Sequence, residues 1–474
     1  MKSDQTLLIL GATGDLAARL LLPGLGDLLT GGGEGVSLVG ADLKEWNDER
    51  WRARVAESFA AAGASGARVD EVAKSTRYLR ADVTSEAEWR RLLEACDGSV
   101  VIYFALPPAI TERACRALTG VELPGRTRLA FEKPFGHDAA SAEALNRQVT
   151  QLVPEERVYR VDHFLGISAV LNIAGVRFAN RMVEPLLSAE HVESVDIVFD
   201  ETLGLEGRAG YYDDAGALVD MIQSHLLQVL AVVAMEPPET IEERDVRDAK
   251  AAVLRATHVW NDDPAASSYR ARYVAGTVDG RRLPSYVDEE GIPDESTTET
   301  LAEAVLEVDT SRWKGVPFRL RSGKALGNPR QEVVITFRAA AHIPAGFTGG
   351  ERPNRLHIGI ALETGRIGLD LNVNGPGDPR VIDTVTLEAG LGPGELREYG
   401  EVLRTIFEGN PILSVRGDMA VDCWRIIDAV LETWRGDDVP LEEYRAGSTG
   451  PDGWPLSGVA STRSSPPSAN PVAA

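Results

Sequence analysis

Residues 6–19 read TLLILGATGDLAAR, and this stretch decides the fold of the N-terminal part of the chain. The apolar run from Thr6 to Leu10 has the length of a buried strand, and a helical segment follows the glycine turn. The turn has the spacing GxxGxxA, in which Gly11 and Gly14 let the backbone approach a pyrophosphate and Ala17 closes the motif. A dinucleotide site explains this pattern, and a tight turn without a ligand explains it as well.

The same strand and helix unit recurs through the first 160 residues. Val36 to Asp42 reads as a second strand, and its terminal carboxylate is placed to accept hydrogen bonds from ribose hydroxyls. Further strands are predicted at 100–108 and 128–136, with helical patterns at 49–62, 86–95 and 111–118. We therefore predict an α/β fold that begins with a Rossmann-like, doubly wound parallel sheet, and a dinucleotide-binding domain at residues 1–160.

The hydrophobic pattern changes after residue 160. Apolar and polar residues largely alternate in segments at 193–200, 302–308, 317–321, 332–337, 355–361 and 367–372. Period-two alternation without regular intervening helices indicates an antiparallel sheet with one covered face. We predict an α+β domain over residues 161–474, with a large, mainly antiparallel sheet that serves substrate binding and oligomerisation. Its Ser/Pro/Ala-rich tail at 461–474 is expected to be disordered.

Composition bounds the partners of the protein. The 474 residues carry a formal net charge of −23 with a pI near 4.8, so a basic face for nucleic acid is hard to assemble. The same acidity fits adaptation to salt. The sequence contains neither an apolar run of membrane-spanning length nor a signal-peptide pattern, so we expect no membrane span and a cytoplasmic location. The three cysteines have neither disulfide nor metal spacing, and no metal site is predicted.

Two strand ends carry candidate catalytic groups. Lys133 closes the strand that begins at Arg128, and the following proline holds it toward the crevice where ligands of such sheets bind. A solvated lysine is the alternative. Asp162 and His163 follow a predicted strand from Val158 to Val161. An Asp-His dipeptide alone marks a turn or a structural hydrogen bond more often than a site, so its weight depends on the surrounding residues.

A long apolar helix is predicted from Gly216 to Met235. Asp220, Ser224 and Gln228 fall on one stripe of this helix at spacing i, i+4, i+8, and His225 lies to the side of that stripe. Buried polar groups without partners cost about 1–3 kcal/mol each, so the stripe is expected to face a wet cleft or a polar partner. A core histidine with satisfied hydrogen bonds is the alternative for His225.

With these segments in place, the chain resembles the glucose-6-phosphate dehydrogenase family. The matching motifs run in family order from the first strand almost to the C-terminus, and several are long and chemically specific. They are GATGDLA (11–17), YFALPP (103–108), EKPFGHD (132–138), RVDHFLG (160–166), RFANR (177–181), EGRAGYYDDAGALVDMIQSHLLQVLAVVAMEPP (206–238), DVRDAK (245–250), STTET (296–300), GVPFRLRSGKAL (315–326) and CWRIID (423–428).

The resemblance implies an NAD(P)-dependent sugar 1-dehydrogenase, which converts glucose 6-phosphate to 6-phosphoglucono-1,5-lactone in the first step of the oxidative pentose phosphate pathway. His225 resembles the general base for the C1 hydroxyl, Asp162 the carboxylate that orients this base, and Lys133 the lysine between sugar and nicotinamide. Sugar contacts are expected from His163 at the phosphate and from Glu201, Asp220, Lys324 and Lys133. The dinucleotide is expected at Gly11, Ala12, Thr13, Gly14, Asp15, Leu16, Asp42, Lys44, Leu106, Pro107 and Lys133. The resemblance also implies a homodimer or homotetramer.

One departure from the family pattern concerns the sugar phosphate. The family reads DHYLGKE where this chain reads DHFLGIS, so Phe164 and Ile167 replace a tyrosine and a lysine that reach the phosphate. Losing a charge-assisted contact costs about 1.5–3 kcal/mol, or roughly ten- to a hundredfold in affinity. A paralogue acting on a hexose derivative without a C6 phosphate is the alternative enzyme. A catalytically silent regulator that binds cofactor or partner is the alternative from another class.

A second departure concerns the choice between NADP and NAD. Leu43 and Leu20 replace the arginine and lysine that the family places near the adenosine 2′-phosphate. Asp42 stands where its charge would repel a phosphate, while Lys44 remains available to bind one. These residues favour acceptance of NAD without excluding NADP.

Overall fold

The computed structural model describes residues 5–32, 35–207, 209–349, 352–361, 365–375, 377–392 and 394–455, and the predicted tail at 461–474 lies outside them. Within these residues the strands are β1 Gln5–Leu10, β2 Val36–Asp42, β3 Arg77–Arg80, β4 Ser99–Phe104, β5 Arg128–Glu132, β6 Val158–Val161, β7 Val192–Asp200, β8 Thr257–Val259, β9 Ser268–Val274, β10 Gly276–Val278, β11 Arg281–Leu283, β12 Leu301–Val308, β13 Phe318–Gly323, β14 Gln331–Phe337, β15 Thr348–Gly349, β16 Arg355–Gly359, β17 Arg366–Asn374, β18 Val381–Gly390, β19 Ser414–Val415 and β20 Leu441–Arg445. The α-helices are α1 Leu22–Thr30, α2 Asp48–Ala61, α3 Ala67–Ser75, α4 Glu86–Glu94, α5 Pro108–Leu118, α6 Ala139–Thr150, α7 Ser168–Phe178, α8 Ala209–Ala217, α9 Leu227–Ala234, α10 Glu243–Ala256, α11 Pro264–Ser267, α12 Glu398–Glu408 and α13 Gly417–Arg435. Two π-helical segments, Ala17–Leu21 and Leu218–Leu226, precede α1 and α9.

The N-terminal sheet is parallel and covered on both faces. Its order is β19-β6-β5-β4-β1-β2-β3, and of these pairs only β19 with β6 is antiparallel. Leu7 and Ile9 of β1 pack with α1 and α2, whereas Leu8 and Leu10 pack with α4 and α5 on the other face. Burial on both faces explains the uninterrupted apolar run of β1. The predicted Rossmann-like, doubly wound sheet is confirmed.

Two predicted strands of this sheet were too long. β4 ends at Phe104 and β5 ends at Glu132, not at residues 108 and 136. Pro108 instead opens α5, because the first helical position needs no backbone N–H donor. The helix predicted at 111–118 therefore begins three residues earlier than expected.

The second sheet has eleven strands and is mainly antiparallel. Its order is β15-β18-β17-β16-β14-β7-β13-β12-β9-β20, with β8 paired to β12. The pairs β7 with β13, β9 with β20 and β15 with β18 are parallel, and the other pairs are antiparallel. The predicted α+β fold with a large, mainly antiparallel sheet is confirmed. Helices α8 to α11 lie between β7 and β9, and the helix predicted at 216–235 is among these elements.

The long apolar helix is a core element. Among the described residues, Tyr212–Ala234 is the one helical stretch long and apolar enough to cross a membrane, but 83% of its apolar window is buried inside the protein. Its side chains pack on β7 and β13 in the largest hydrophobic cluster. Residues beyond 400 return to the N-terminal sheet, where β19 pairs with β6. The domain boundary near residue 160 stays a prediction.

Candidate active site

A buried carboxylate and a buried histidine form the centre of the site. Asp162 follows β6 and is 2% exposed, and His225 of the π-helical segment is 1% exposed. Asp162 Oδ1 lies 2.5 Å from His225 Nδ1, so this nitrogen carries the hydrogen and donates it. Burial opposes the charge on Asp162, but His225, followed by His163 and Lys133, lowers its pKa to about 2. Burial lowers the pKa of His225 against the attraction of Asp162, so the ring is neutral and Nε2 is its basic atom.

Two neighbouring rings hold the imidazole of His225. Phe164 stacks on it, with ring centroids 4.1 Å and planes 11° apart. His163 meets it edge-on, with centroids 4.6 Å apart. Burial, followed by the repulsion that a protonated His225 would exert, lowers the pKa of His163 to about 3, which makes His163 a neutral hydrogen-bonding group. Asp162 also fixes the helical turn His163–Gly166 that carries both rings, because its Oδ1 accepts a hydrogen bond of 3.0 Å from Phe164 N.

Both lysines of the site are paired with carboxylates. Lys133 Nζ donates to Asp220 Oδ1 at 2.9 Å and to the main-chain oxygen of Asp220 at 2.7 Å. Lys324 Nζ donates to Glu201 Oε2 at 2.7 Å. Burial opposes the charge on Asp220, but Lys133 and then Lys324 lower its pKa. The structure thus brings together the predicted base, its orienting carboxylate and the predicted sugar contacts.

The π-helical segment Leu218–Leu226 explains how Asp220 and His225 both reach the site. The sequence predicts an α-helix here, in which residues five apart would point about 140° away from each other. Hydrogen bonds in a π-helix run from residue i to residue i+5 and bring such residues close. The predicted polar stripe is therefore divided. Asp220 meets Lys133, while Gln228 on α9 donates from Nε2 to Cys423 Sγ at 3.5 Å.

A glycine and a buried glutamate fix the start of this helical segment. Gly216 has φ of +65° and ψ of 176°, which interrupts α8 just before the segment begins. Glu299 Oε1 accepts a hydrogen bond of 2.9 Å from Leu218 N. A Cβ on Gly216 would lie 2.3 Å from this same Oε1, so no larger residue fits. Burial raises the pKa of Glu299 to about 7, against the backbone hydrogen bond from Leu218.

Replacing Gly216 by alanine is expected to reduce the free energy of unfolding by about 1–3 kcal/mol, because an L-residue at this φ is strained and meets Glu299. Activity should fall as well, since the segment carries Asp220 and His225. Urea denaturation and kcat measure the two effects. Gly175→Ala is the matched control, because a Cβ there meets no atom within 4 Å. Equal stability of both variants would contradict the account.

The glycine turn lies at the carboxyl end of β1. Gly11 N and Ala12 N donate to Ala41 O at 2.9 and 3.2 Å. Gly11 has φ of +75°, and a Cβ there would lie 2.1 Å from Ala105 O, so only glycine fits. Gly11 thus lets the turn pack closely on Ala105, and the helix that begins directly after the turn presents its N-terminus, which suits the close approach of a pyrophosphate. The residues present therefore fit a dinucleotide.

Asp42 is bonded to this turn. Its Oδ2 accepts from Thr13 N at 3.2 Å and from Thr13 Oγ1 at 2.5 Å, and its Oδ1 accepts from Leu43 N at 2.7 Å. The carboxylate ties β2 to the turn and keeps part of its acceptor capacity for a ribose hydroxyl. Leu43 and Lys44, which directly follow Asp42, are exposed, and so is Leu20; Leu43 is 62% exposed.

The remaining predicted dinucleotide residues have different surroundings. Leu106 and Pro107 follow β4, and the side chain of Leu106 lies against Gly11. Asp15 is exposed and forms an ion pair of 4.0 Å with Arg19. The side chain of Leu16 packs against the hydrophobic core and so anchors the residues after the glycine turn.

Sequence reasoning missed Glu132 and Tyr399, which lie beside the site. Tyr103 OH donates to Glu132 Oε1 at 2.5 Å, and Tyr399 OH donates to Glu132 Oε2 at 3.4 Å. Tyr399 also stacks on His163, with centroids 5.8 Å apart. Burial raises the pKa of Glu132 to about 7, against the hydrogen bonds from both tyrosines. Glu132 stands in the EKPFGHD motif, which the sequence shows. Tyr399 lies 267 residues further along the chain and in no quoted motif.

The carboxyl ends of β1, β4, β5 and β6 share one edge of the parallel sheet, where ligands of α/β proteins bind. Oxidation by hydride transfer needs a dinucleotide turn and a base for the departing proton, and this edge carries both. These features define the class of NAD(P)-dependent dehydrogenases.

The comparisons with known proteins identify the family. The model for "Glucose-6-phosphate dehydrogenase, NAD binding domain" matches residues 8–172, and the model for the C-terminal domain matches residues 174–455. The chain is 40% identical to glucose-6-phosphate 1-dehydrogenase of Gluconobacter oxydans over 94% of each chain. It is 34% identical to the enzyme of Zymomonas mobilis over 94% of this chain and 96% of the relative. This chain belongs to the glucose-6-phosphate dehydrogenase family.

Solved structures agree with this assignment. The crystal structure of glucose-6-phosphate 1-dehydrogenase from Mycobacterium avium matches with a TM-score of 0.83 and 31% identity, over 95% of this chain and 96% of that one. A glucose-6-phosphate dehydrogenase in complex with glucose-6-phosphate matches with a TM-score of 0.84 and 29% identity over the same shares.

Proposed function

We propose that this protein oxidises C1 of glucose 6-phosphate to 6-phosphoglucono-1,5-lactone, with hydride transfer to NAD or NADP. The observation that carries the proposal is the buried Asp162–His225 pair, with 2.5 Å between Oδ1 and Nδ1, at the sheet edge that bears the glycine turn. The activity named for its relatives supports glucose 6-phosphate as the substrate. The reaction is the first step of the oxidative pentose phosphate pathway.

The proton of the reaction goes to His225. Lactone formation removes a hydride from C1 and a proton from the C1 hydroxyl, and the oxygen's electron pair forms the C=O double bond. The nicotinamide, when bound, supplies the hydride acceptor. His225 Nε2 takes the proton, while Asp162 keeps the hydrogen on Nδ1 and stabilises the resulting imidazolium. General-base catalysis of this kind contributes about 10²–10⁴-fold to a rate.

The two lysine–carboxylate pairs position the sugar. Lys133 with Asp220 and Lys324 with Glu201 each combine a donor with an acceptor and carry no net charge. Such pairs suit sugar hydroxyls, which donate and accept hydrogen bonds at once. We assign the hydroxyls of the pyranose ring to these four residues.

The described residues at the positions expected to contact the sugar phosphate include few cations. Phe164 serves His225 as a stacking partner, and Ile167 is buried in the main hydrophobic cluster. His163 is neutral because burial lowers its pKa to about 3, so it acts through a hydrogen bond and not through charge. These departures from the family pattern weaken affinity for the phosphate without changing the chemistry at C1. The alternative sugar without a C6 phosphate is not favoured by the relatives.

The part of the site that receives the adenosine of the dinucleotide accepts both NAD and NADP in this proposal. Asp42 disfavours a 2′-phosphate, which supports use of NAD. Arg80 is the Cα partner of Asp42 on the neighbouring strand, and its Nε donates to Leu43 O at 3.2 Å. Its Nη1 forms an ion pair of 2.6 Å with Glu45 at the surface. We propose that Arg80, with Lys44, supplies the positive charge for the 2′-phosphate of NADP.

Replacing Arg80 by alanine is expected to raise KM for NADP by about tenfold while KM for NAD stays within twofold, because only NADP carries the 2′-phosphate. Initial rates at saturating sugar phosphate measure both constants. Arg77→Ala changes the same residue type at the opposite end of β3 and should alter neither constant. Equal increases in KM for NAD and NADP would show that Arg80 does not read the 2′-phosphate.

We also propose that the protein assembles as a homodimer or homotetramer through the large sheet. β18 exposes Val381, Val385 and Leu387. Leu387 borders an apolar cavity of about 940 Å³ that Leu369 and Leu371 of β17 also line. Light scattering should give a mass of two or four times 51.1 kDa, and a stable monomer would contradict this proposal.

Product analysis tests the proposed function. The purified protein, glucose 6-phosphate and NAD or NADP should yield 6-phosphogluconate, the hydrolysis product of the lactone, in equal amounts with the reduced cofactor, as followed by NMR. Reduction of cofactor with free glucose but not with glucose 6-phosphate would exclude the proposed substrate. Tight cofactor binding without turnover of any sugar would exclude catalysis.

A further inference from the structure

An aromatic ring covers one face of the imidazole of His225. The ring centroids of Phe164 and His225 lie 4.1 Å apart, and the two planes differ by only 11°. Phe164 is 3% exposed and His225 is 1% exposed, so both rings lie in the interior. Electrostatic interactions between buried groups are screened much less than those at the surface. The contact between these two rings can therefore influence the charge state of the imidazole.

One carboxylate oxygen and one further ring fix this stacked arrangement. Asp162 Oδ1 accepts from His225 Nδ1 at 2.5 Å and from Phe164 N at 3.0 Å, so the imidazole and the backbone of Phe164 are bonded to the same atom. Phe199 of β7 packs against Phe164, with centroids 4.8 Å and planes 62° apart. Both phenylalanines belong to the largest hydrophobic cluster, which holds the ring of Phe164 against the imidazole.

The charge on His225 changes during the proposed reaction. The ring is neutral when the sugar binds, and it becomes an imidazolium as Nε2 takes the proton of the C1 hydroxyl. Asp162 meets this new charge at Nδ1, whereas Phe164 meets it at the face of the ring. The face of a phenyl ring is negative, and it attracts a cation within about 6 Å of its centroid. The attraction between the two rings therefore increases as the proton is transferred.

We propose that the phenyl ring of Phe164 stabilises the imidazolium form of His225 through a cation–π interaction and thereby lowers the barrier of the oxidation step. The proposal rests on the proposed function, because it needs His225 to act as the base. Phe164 is a positioning residue, since it acts through His225 and not on the sugar. An interaction that is stronger in the transition state than in the ground state accelerates the chemical step without tightening substrate binding.

The contribution of Phe164 can be separated from those of the polar groups around His225. Asp162 and Asp220 favour the protonated imidazole, Lys133 opposes it, and the ring of His163 meets it edge-on at 4.6 Å. The side chain of Phe164 carries no charge and no hydrogen-bonding group, so its attraction for a cation depends on the electron density of the ring face. Fluorine atoms on the ring withdraw that density and change the size of the side chain very little.

Replacing Phe164 by trifluorophenylalanine, with fluorine on the three outer ring carbons, tests the proposal. Single-turnover reduction of the cofactor at saturating glucose 6-phosphate measures the chemical step separately from product release. Its rate constant should fall by about two- to thirtyfold, with a monofluorinated ring giving an intermediate value. The dissociation constants of sugar phosphate and cofactor should stay within twofold. The same replacement at Phe59, a buried residue of α2, is the matched control and should leave the rate constant unchanged.

Phe164→Leu completes the test, because leucine stays apolar but has no aromatic face. Its single-turnover rate constant should fall at least as far as that of the trifluorinated enzyme. A slow Phe164→Leu enzyme beside a trifluorinated enzyme of wild-type rate would overturn the proposal, since packing alone would then explain the residue. Weaker binding of glucose 6-phosphate with an unchanged rate constant would overturn it as well. Failure of the proposed function would appear separately, as the absence of 6-phosphogluconate from the wild-type enzyme.

Discussion

Replacing His225 by alanine is expected to lower kcat for glucose 6-phosphate by about 10²–10⁴-fold, because no other group among the described residues is placed to take the C1 hydroxyl proton. The neighbouring ring of His163 is a poor substitute, since burial lowers its pKa to about 3. Lys133 is a poor substitute as well, because its ammonium group already donates to Asp220 at 2.9 Å. Initial rates at saturating substrate and cofactor measure the effect.

His137→Ala is the control for this variant, because His137 lies on the surface with an 84% exposed side chain. Its kcat should equal that of the wild type. Cofactor binding by His225→Ala, measured by fluorescence titration, should also be unchanged, since the glycine turn belongs to another element. A His225→Ala enzyme with kcat within threefold of the wild type would remove His225 from the mechanism.

Replacing Asp162 by asparagine is the second large effect, with an expected loss in kcat of about 10²–10⁴-fold. The amide keeps an oxygen that accepts from Phe164 N, so the turn at 163–166 should survive. It removes the charge that stabilises the imidazolium, and its NH₂ group can turn the ring to the wrong tautomer. The pKa of His225 should fall, so the acid limb of the kcat profile should move to lower pH.

The ionisation of Asp162 should also affect how the free energy of unfolding depends on pH. His225 and its neighbours lower the pKa of Asp162 to about 2 in the folded state, below its unfolded value of about 3.9. The contribution of Asp162 to the free energy of unfolding is thus complete above about pH 4 and is lost as pH falls through about 2. Urea denaturation should show Asp162→Asn less stable than the wild type at pH 7 and the difference shrinking below pH 4. A stability difference between the wild type and Asp162→Asn that grows toward low pH would contradict the lowered pKa of Asp162.

The N-terminal sheet was predictable because buried parallel strands leave a direct signature. β2 and β6 begin and end at the predicted residues, Val36 to Asp42 and Val158 to Val161. β3, Arg77–Arg80, was missed because this edge strand carries an arginine at each end and has no apolar run. α10 was missed although Arg247, Lys250, Ala251 and Leu254 repeat at i, i+3, i+4 and i+7 on its buried face. Two cations on that face hid an otherwise helical pattern.

The site was predictable only in part. The family motifs supplied Asp162, His163, Lys133 and His225, and the structure brings these four together. The π-helical turn was not predictable, because an apolar run has the same composition whether its hydrogen bonds span four or five residues. The contact of Tyr399 with His163 joins distant parts of the chain and leaves no local pattern. The role of Phe164 also changed, since its ring packs on His225 and does not only replace a phosphate contact.

The preference of the wild-type enzyme between glucose 6-phosphate and free glucose tests the central claim most directly. Initial rates with NAD and with NADP give kcat/KM for each sugar under identical conditions. We expect glucose 6-phosphate to be preferred by about tenfold or more, since the phosphate adds at least one charge-assisted contact. Equal kcat/KM values for the two sugars, or a preference for free glucose, would contradict the claim that this protein is a glucose 6-phosphate dehydrogenase.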